Sequence, residues 1–312
     1  MTGRAALAVE AAGIRFQNPV LLASGTAAYG REVSEVVDLD ALGGLVTKAV
    51  SPRPRAGAPA MRVADFPGGM INAVGLANPG LDAVRRDDLP WLAANVRAAR
   101  VLVNVVGDTV EDYADVVRGL SDAPGVHGFE LNVSCPNVKA GGMEFGADAR
   151  VLADLVRGAR AATARPLFVK LSPTLADIGA TARAAVDAGA NGITVVNTIP
   201  GLVVDVPARR PALGFGTGGV SGPGLLPVGV LAVWRVRRAL GASVPVCGVG
   251  GVSSAADALQ YLVAGATLVQ VGTAAMRDPR APERIVRGLA RWCAREGISG
   301  LASIVGTLQW PA

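Results

Sequence analysis

The chain has 312 residues, of which 51% are hydrophobic and only 4% are aromatic, and its formal net charge is +5. This length accommodates either one large α/β barrel or two ordinary domains, and the small aliphatic composition favours parallel α/β packing. The positive charge comes from scattered arginines without a basic tail, which favours a solvated surface over a nucleic-acid-binding face.

Three cysteines are too few and too far apart for a disulfide framework, and none has the CxxC spacing of a zinc or iron–sulfur site. The N-terminus includes Glu10 and lacks the apolar stretch of a signal peptide. No run approaches the roughly 18 uncharged apolar residues that span a bilayer. We therefore expect a cytoplasmic protein without a bound metal, a membrane segment or a nucleic-acid partner.

Eight short apolar runs, each typical of a buried β-strand, follow one another along the chain. They lie at 19–24, 44–49, 101–106, 128–134, 166–172, 192–198, 244–250 and 267–272. Amphipathic stretches rich in Ala, Arg and Leu separate most of them, at 110–121, 147–164, 175–188, 225–240, 253–264 and 280–295. Eight strands that alternate with helices predict an α/β fold, a closed (β/α)8 TIM barrel, with residues 1–312 forming a single domain.

Two connections between successive strands are much longer than the others. One follows the second strand, at roughly 50–100, and the other follows the sixth strand, at roughly 199–243. Both are rich in Gly and Pro, as in "SPRPRAGAP" and "GFGTGGVSGPG". We therefore expect insertions in the βα loops after strands 2 and 6, on the face where barrel enzymes keep their active sites.

Polar residues stand at the end of most of the predicted strands. Any one of them could simply terminate its strand, because Asn, Ser and Gly are common there. The lysines weaken that interpretation, since an ammonium inside an apolar strand needs an anionic or polar partner. Together the strand ends predict a polar pocket at one mouth of the barrel. Its side chains are Ser24, Lys48, Asn104, Asn132, Lys170, Asn197 and Thr198.

Glycine-rich turns follow strands 7 and 8, in "GVGGVSS" (248–254) and "VGTAAM" (271–276), and a third cluster, "TGGVSGPG", spans 217–224. Bare backbone N–H groups at helix starts bind phosphate, and strands 7 and 8 carry the usual phosphate site of TIM barrels. The lysines and asparagines would face a planar, electron-rich group. Flavin mononucleotide (FMN) fits both halves of such a pocket.

Cys135 directly follows the fourth predicted strand and begins a glycine-rich loop at 135–146. A free thiol has a pKa of about 8.5, close enough to neutrality for proton exchange. We interpret it as the base that acts opposite the flavin, because His127, the only histidine, precedes strand 4 at the other end of the barrel. Loop filler is the alternative for Cys135, and filler is the favoured interpretation of Cys247 and Cys293.

Several of these segments resemble the class 1 dihydroorotate dehydrogenases, and in detail the class 1B branch. The stretch "ELNVSCPNVKAGGMEFG" is similar to the active-site loop of that family, and "INAVGLANPG" is similar to its substrate-binding segment. "VTKAV" resembles the strand with the lysine that contacts flavin and orotate, "VVNTI" resembles a second substrate strand, and the glycine clusters resemble the phosphate-binding turns. The resemblance spans nearly the whole chain, with the motifs in order.

The resemblance implies an enzyme that oxidises (S)-dihydroorotate to orotate in pyrimidine biosynthesis with FMN as cofactor. Cys135 would take the proton from C5 while a hydride passes from C6 to N5 of the flavin. The implied substrate-binding residues are Lys48, Asn72, Ala73, Val74, Gly75, Leu76, Asn132, Asn197 and Thr198. The implied FMN-binding residues are Ser24, Lys48, Ala49, Asn104, Asn132, Lys170, Val196, Gly222, Gly250, Gly251, Gly272 and Thr273.

The class 1B resemblance also implies protein partners. We expect a homodimer, or a heterotetramer with a separate subunit that carries FAD and an iron–sulfur cluster and passes electrons to NAD. The fumarate-linked class 1A remains an alternative. The segment "GTAAYG" departs from the family, because Ala27 and Ala28 stand where a bulkier aromatic residue is expected, at the flavin edge or a partner contact.

Three other functions are compatible with parts of the sequence. A tRNA dihydrouridine synthase is also an FMN barrel with an Asn-x-x-Cys-Pro-like element, but the chain shows no appended basic RNA-binding domain. A Schiff-base aldolase could use Lys48 or Lys170 as its nucleophile. A barrel that binds orotate without catalysis is the third.

Overall fold

Eight parallel strands close into a barrel in the computed structural model, which describes residues 7–134, 136–137 and 143–311. The strands are β1 (Val20–Leu22), β2 (Gly44–Val46), β3 (Arg100–Val105), β4 (Gly128–Asn132), β5 (Leu167–Leu171), β6 (Gly192–Val195), β7 (Val246–Val249) and β8 (Leu268–Val271). Each pairs with its neighbours in the chain, and β8 pairs with β1 through Val269 and Val20. The predicted (β/α)8 barrel is confirmed.

Helices lie between the strands and surround the barrel. They are α1 (Leu89–Asn95), α2 (Val110–Leu120), α3 (Ala149–Ala161), α4 (Ile178–Asp187), α5 (Leu226–Leu240), α6 (Ala255–Ala264), α7 (Thr273–Arg277) and α8 (Ala281–Glu296). A wider helical turn, Val84–Asp88, leads into α1. Capping boxes begin two of the helices, since Thr109 and Ser254 each accept a hydrogen bond from the backbone N–H three residues later. All six predicted helices are therefore present.

The side chain of Tyr261 links the outer helices to the carboxyl end of β7. A Cβ atom at Gly229 would lie 1.8 Å from its Oη, and one at Gly248 would lie 2.2 Å from its ring. Only bare backbone in α5 and β7 therefore leaves room for the ring. The Tyr261 hydroxyl donates to the carbonyl oxygen of Gly250 at 2.7 Å, which holds the turn after β7 in place.

The two long connections meet in one four-stranded antiparallel sheet. Gly219, from the connection after β6, pairs with Asn72, from the connection after β2. Both connections leave carboxyl ends of barrel strands, so the sheet stands at that end of the barrel. In spatial order its strands are Ile199–Gly201, Gly218–Ser221, Gly69–Asn72 and Val63–Phe66.

His127 lies at the opposite, amino-terminal end of the barrel, as predicted. It immediately precedes β4, and its Nδ1 accepts a hydrogen bond from the backbone N–H of Val101 at 3.1 Å. The guanidinium of Arg100 lies 3.2 Å from its Nε2. A protonated imidazole would lose the bond to Val101 and face a second positive charge, so the fold favours neutral His127.

Replacement of His127 by glutamine is expected to make the stability of the protein less sensitive to acid. Burial, and then the charge of Arg100, lower the pKa of His127 in the folded state below its ordinary 6.5. As pH falls through about 6.5 the unfolded chain takes up the proton first, so stability is lost from there down to the folded-state pKa. Urea unfolding at several pH values measures the difference. Parallel pH profiles for the wild type and His127→Gln would contradict this assignment.

Candidate active site

A cavity of about 760 Å³ opens at the carboxyl ends of the barrel strands. Its volume is within the range of pockets that hold cofactors and drug-sized ligands. Parallel strands deliver their last residues to the same mouth, and the lining includes Ser24 after β1, Lys48 after β2, Asn132 in β4, Lys170 in β5 and Asn197 after β6. The barrel therefore brings polar side chains from several strands together around one cavity.

Most of the residues that the sequence assigned to cofactor and substrate line this cavity. They come from the strand ends, the inserted sheet and the glycine-rich turns. They are Ser24, Lys48, Ala49, Asn72, Ala73, Val74, Gly75, Leu76, Asn132, Lys170, Val196, Asn197, Thr198, Gly222, Gly250, Gly251, Gly272 and Thr273.

Lys170 places a buried cation against the cavity. Its side chain is only 7% exposed, and within the described residues its ammonium makes neither a hydrogen bond nor an ion pair. Among the described residues, the ammonium is not one of the buried side-chain atoms that lack a partner, so it remains accessible from the cavity. This geometry suits a ligand that brings acceptor atoms or negative charge to Lys170.

Lys48 is the second cation of the cavity. Burial, and then the positive charge of Arg62, lower its pKa from the ordinary 10.5. The segment at 25–30 holds its backbone, since the Lys48 N–H donates to the Ala28 carbonyl at 2.7 Å and the Tyr29 hydroxyl donates to the Ala49 carbonyl at 3.1 Å. An anionic ligand beside Lys48 would favour its charged form.

Asparagine side chains form the wall between the barrel and the inserted sheet. The Asn197 amide donates to Oδ1 of Asn132 at 3.3 Å, and Oδ1 of Asn197 accepts from the backbone N–H of Thr198 at 2.9 Å. The Asn72 amide donates to the Gly219 carbonyl at 3.3 Å. The pairing of the two insertions therefore brings Asn72 to the barrel mouth, which spacing along the chain did not predict.

Unpaired backbone amides collect where β7 and β8 end. Gly250 and Gly251 have φ of 124° and 73°, and a Cβ at Gly251 would lie 2.4 Å from the backbone nitrogen of Leu226. Within the described residues, the N–H groups of Gly251, Val252 and Gly272 have no acceptor. Because these amides stand before α6 and α7, they form the kind of donor set that binds a phosphate group.

Two predicted site residues are exceptions. Cys135 lies outside the described residues, so the structure does not place its thiol. Asn104 is fully buried and is absent from the cavity lining, because its amide points to Glu130, to which it donates at 2.9 Å. Within the described chain, its Oδ1 has no hydrogen-bond partner.

Glu144 lines the cavity and was missed by the sequence reasoning. Burial raises the pKa of its carboxyl above the ordinary 4.5, and the Ser172 hydroxyl donates to it at 3.4 Å. An acidic residue inside the glycine-rich loop was the signal that could have indicated it. By contrast, Ala27 and Ala28 are not among the lining residues.

The described residues contain no group of three or more His, Cys, Asp or Glu side chains placed to hold a metal ion. Among the described helices, none combines the length and the apolar character needed to cross a membrane. A TIM barrel whose cavity lies at the carboxyl ends of its strands has the architecture of a barrel enzyme, and within the described residues that cavity is lined by lysines, amides and backbone N–H groups without acceptors.

Comparison with known proteins gives the particular family. Residues 6–292 match the family model described as dihydroorotate dehydrogenase. The chain is 45% identical over 303 residues to dihydroorotate dehydrogenase B (NAD(+)), catalytic subunit, of Geotalea daltonii, which covers 97% of this chain and 98% of that protein. The protein of the same name from Geotalea uraniireducens is 44% identical, and the match covers 98% of this chain and 99% of that protein. The one from Geobacter sulfurreducens is also 44% identical, over 97% of this chain and 98% of that protein. The chain belongs to the dihydroorotate dehydrogenase family, and the predicted class 1B resemblance is confirmed.

Proposed function

We propose that this protein oxidises (S)-dihydroorotate to orotate in pyrimidine biosynthesis, with FMN as its cofactor and NAD as the final electron acceptor. The observation that carries the proposal is the convergence on one cavity, in a member of this family, of two lysines, three asparagines and a cluster of backbone amides, where the lysine ammonium groups and these amides have no hydrogen-bond partner among the described residues. We propose further that residues 1–312 act as one FMN-binding barrel domain.

FMN fits the donors that the cavity presents. Its phosphate suits the N–H groups of Gly251 and Gly272, which have no acceptor in the part of the chain that the structure describes, and its ring suits the ammonium of Lys170. When bound, FMN supplies the acceptor for the hydride that leaves C6 of dihydroorotate. The residues proposed to hold it are Ser24, Lys48, Ala49, Asn132, Lys170, Val196, Gly222, Gly250, Gly251, Gly272 and Thr273, which line the cavity, together with Asn104, which does not.

The other half of the cavity suits the pyrimidine acid. Asparagine amides both donate and accept, which matches the imide edge of dihydroorotate, and Lys48 offers a cation for its carboxylate. Because dihydroorotate is an anion, its binding should favour protonated Lys48. The proposed contacts are Lys48, Asn72, Ala73, Val74, Gly75, Leu76, Asn132, Asn197 and Thr198.

We propose Cys135 as the base for this reaction. Its thiolate would accept the proton from C5 as the C5–H bond breaks, and the electron pair of that bond would form the C5–C6 double bond of orotate. Its neighbours in the chain support this proposal, since β4 ends at Asn132 on the cavity and Glu144, which pairs with Pro136, also lines the cavity.

We propose that the chain works in the cytoplasm. We also propose a second subunit that carries FAD and an iron–sulfur cluster, because the relatives of this chain are named catalytic subunits. A homodimer is also proposed, and large apolar side chains that the inserted segments expose support it. These side chains are Met61, Leu202, Val204, Val206 and Phe215, with 51–75% of their surface accessible. The mass of the purified protein in solution, by light scattering, tests the dimer.

The function is tested by anaerobic addition of dihydroorotate to the purified yellow protein. Bleaching of the flavin bands with formation of orotate is expected, and reoxidation by NAD is expected only when the native partner is present. Extra FAD and iron–sulfur absorbance in the native complex would support that partner.

Other outcomes would indicate the alternative functions. Reoxidation of the flavin by fumarate would indicate class 1A. Bleaching of the flavin by NADPH, with dihydrouridine formed in tRNA, would indicate the RNA-modifying alternative. A colourless protein would contradict the proposal.

A further inference from the structure

Glu144 brings a carboxyl group to the cavity wall close to the end of β4. Its backbone pairs with Pro136, the residue that directly follows Cys135, and Asn132 at the end of β4 lines the same cavity. Within the described residues Glu144 takes part in no ion pair, and burial raises the pKa of its carboxyl above the ordinary 4.5. A carboxyl group in such surroundings accepts a proton more readily than one in open water.

Two hydroxyl groups lead from Glu144 to the surface of the protein. The Ser172 hydroxyl donates to Oε1 of Glu144 at 3.4 Å, and the Ser172 and Thr174 hydroxyl oxygens lie 2.7 Å apart. Ser172 directly follows β5 and is only 3% exposed, whereas Thr174 is exposed to solvent. A continuous chain of hydrogen bonds therefore joins the cavity wall to bulk water through one buried hydroxyl.

The bonds in this chain can reverse their direction. With Glu144 ionised, Ser172 donates to the carboxylate and Thr174 can donate to Ser172, since either hydroxyl can be the donor between the two. Once Glu144 carries a proton, the carboxyl can donate to Ser172, Ser172 to Thr174, and Thr174 to water. Transfer of one proton along each of these bonds removes one proton from Glu144 and delivers one to water, so the chain can conduct protons in a balanced way.

We propose that Glu144, Ser172 and Thr174 form the route by which the proton taken from dihydroorotate leaves the cavity for solvent. Each oxidation leaves the C5 proton on the base, and the base cannot act again until that proton is passed on. Ligands that fill the cavity exclude water from it, so a route through protein side chains is needed. Glu144 takes the proton over from the base and the two hydroxyls carry it outward. This inference rests on the proposed function, since the proton comes from dihydroorotate.

The test follows flavin bleaching and proton release together, by anaerobic stopped-flow absorbance in weak buffer with a pH-indicator dye. At a pH about one unit above the thiol pKa of about 8.5 the base starts ionised, so the first reduction of the flavin needs no proton transfer to solvent. Glu144→Gln and Ser172→Ala are expected to bleach at nearly the wild-type rate. Their proton release should lag behind bleaching and be about 10- to 100-fold slower than in the wild type, because one link of the route is missing.

The matched control is Thr181→Val in α4, which removes a hydroxyl that donates to the Asp177 carbonyl and lies outside the chain. Its proton release should keep pace with bleaching, as in the wild type. Proton release in step with bleaching in either Glu144→Gln or Ser172→Ala would overturn the inference while the proposed function stands. Bleaching and release slowed by the same factor would also overturn it, since the residue would then act on the chemical step. Failure of the wild-type flavin to bleach with dihydroorotate would instead overturn the proposed function.

Discussion

Cys135→Ser is expected to keep FMN bound and to slow flavin reduction by dihydroorotate about 10²- to 10⁴-fold at neutral pH. A thiol with a pKa of about 8.5 supplies some thiolate at neutrality, whereas a serine hydroxyl stays protonated and is a far poorer base. Stopped-flow absorbance of the flavin under anaerobic conditions measures the rate. The wild-type rate should rise with pH and level off near the pKa of the thiol, while the rate of the variant should keep rising.

The matched control for this substitution is Cys293→Ser. Cys293 is only 2% exposed, in α8, so the same chemical change falls on the helical shell and not on the cavity. It should reduce stability slightly and leave the rate of flavin reduction near that of the wild type. A Cys135→Ser rate equal to the wild-type rate at neutral pH would remove Cys135 from the mechanism.

Lys170→Met is expected to weaken FMN binding about 10- to 100-fold, because a hydrogen bond to a charged group contributes roughly 1.5–3 kcal/mol. Methionine has a similar length and no charge. Any flavin that remains bound should have an altered spectrum and a more negative potential, since the ammonium stabilises the reduced ring.

The control for Lys170→Met is Arg157→Met on the exposed face of α3, which removes one positive charge far from the cavity. It should change neither the FMN affinity nor the potential. Calorimetric titration of FMN into both FMN-free variants measures the affinity, and absorbance spectra and dye equilibration measure the spectrum and the potential of the flavin. The comparison distinguishes the loss of a charge at the cavity from the loss of any positive charge on the protein. An unaltered affinity, spectrum and potential in Lys170→Met would mean that the cofactor binds elsewhere.

Local pattern was enough to predict the barrel. The run from Leu167 to Leu171 is fully buried, as an apolar strand covered on both sides should be, and the stretch from Val110 to Leu120 carries its own capping box. Each signal depends on residues close together in the chain. Parallel strands then place their carboxyl ends at one mouth, so the grouping of Ser24, Lys48, Asn132 and Lys170 followed from order alone.

Local sequence pattern could not predict the contacts between segments that lie far apart in the chain. The pairing of Gly219 with Asn72 joins two insertions that lie 147 residues apart, and no short-range pattern specifies that register. Asn104 was predicted to line the pocket, but its amide is held by Glu130 and it is absent from the cavity lining. Which way an amide turns depends on the partners that other strands supply, and those are known only when the barrel has closed.

The sequence by itself therefore determined the alternation of strands and helices, the closed barrel and the end at which its polar residues gather, because each follows from local periodicity and chain direction. Only the tertiary structure decided that Glu130 is buried and accepts three side-chain hydrogen bonds, that Glu144 reaches the cavity wall, and that Lys170 makes no ion pair in the described chain. Burial and hydrogen bonding are properties of the assembled neighbourhood, so they cannot be assigned before the strands are in contact.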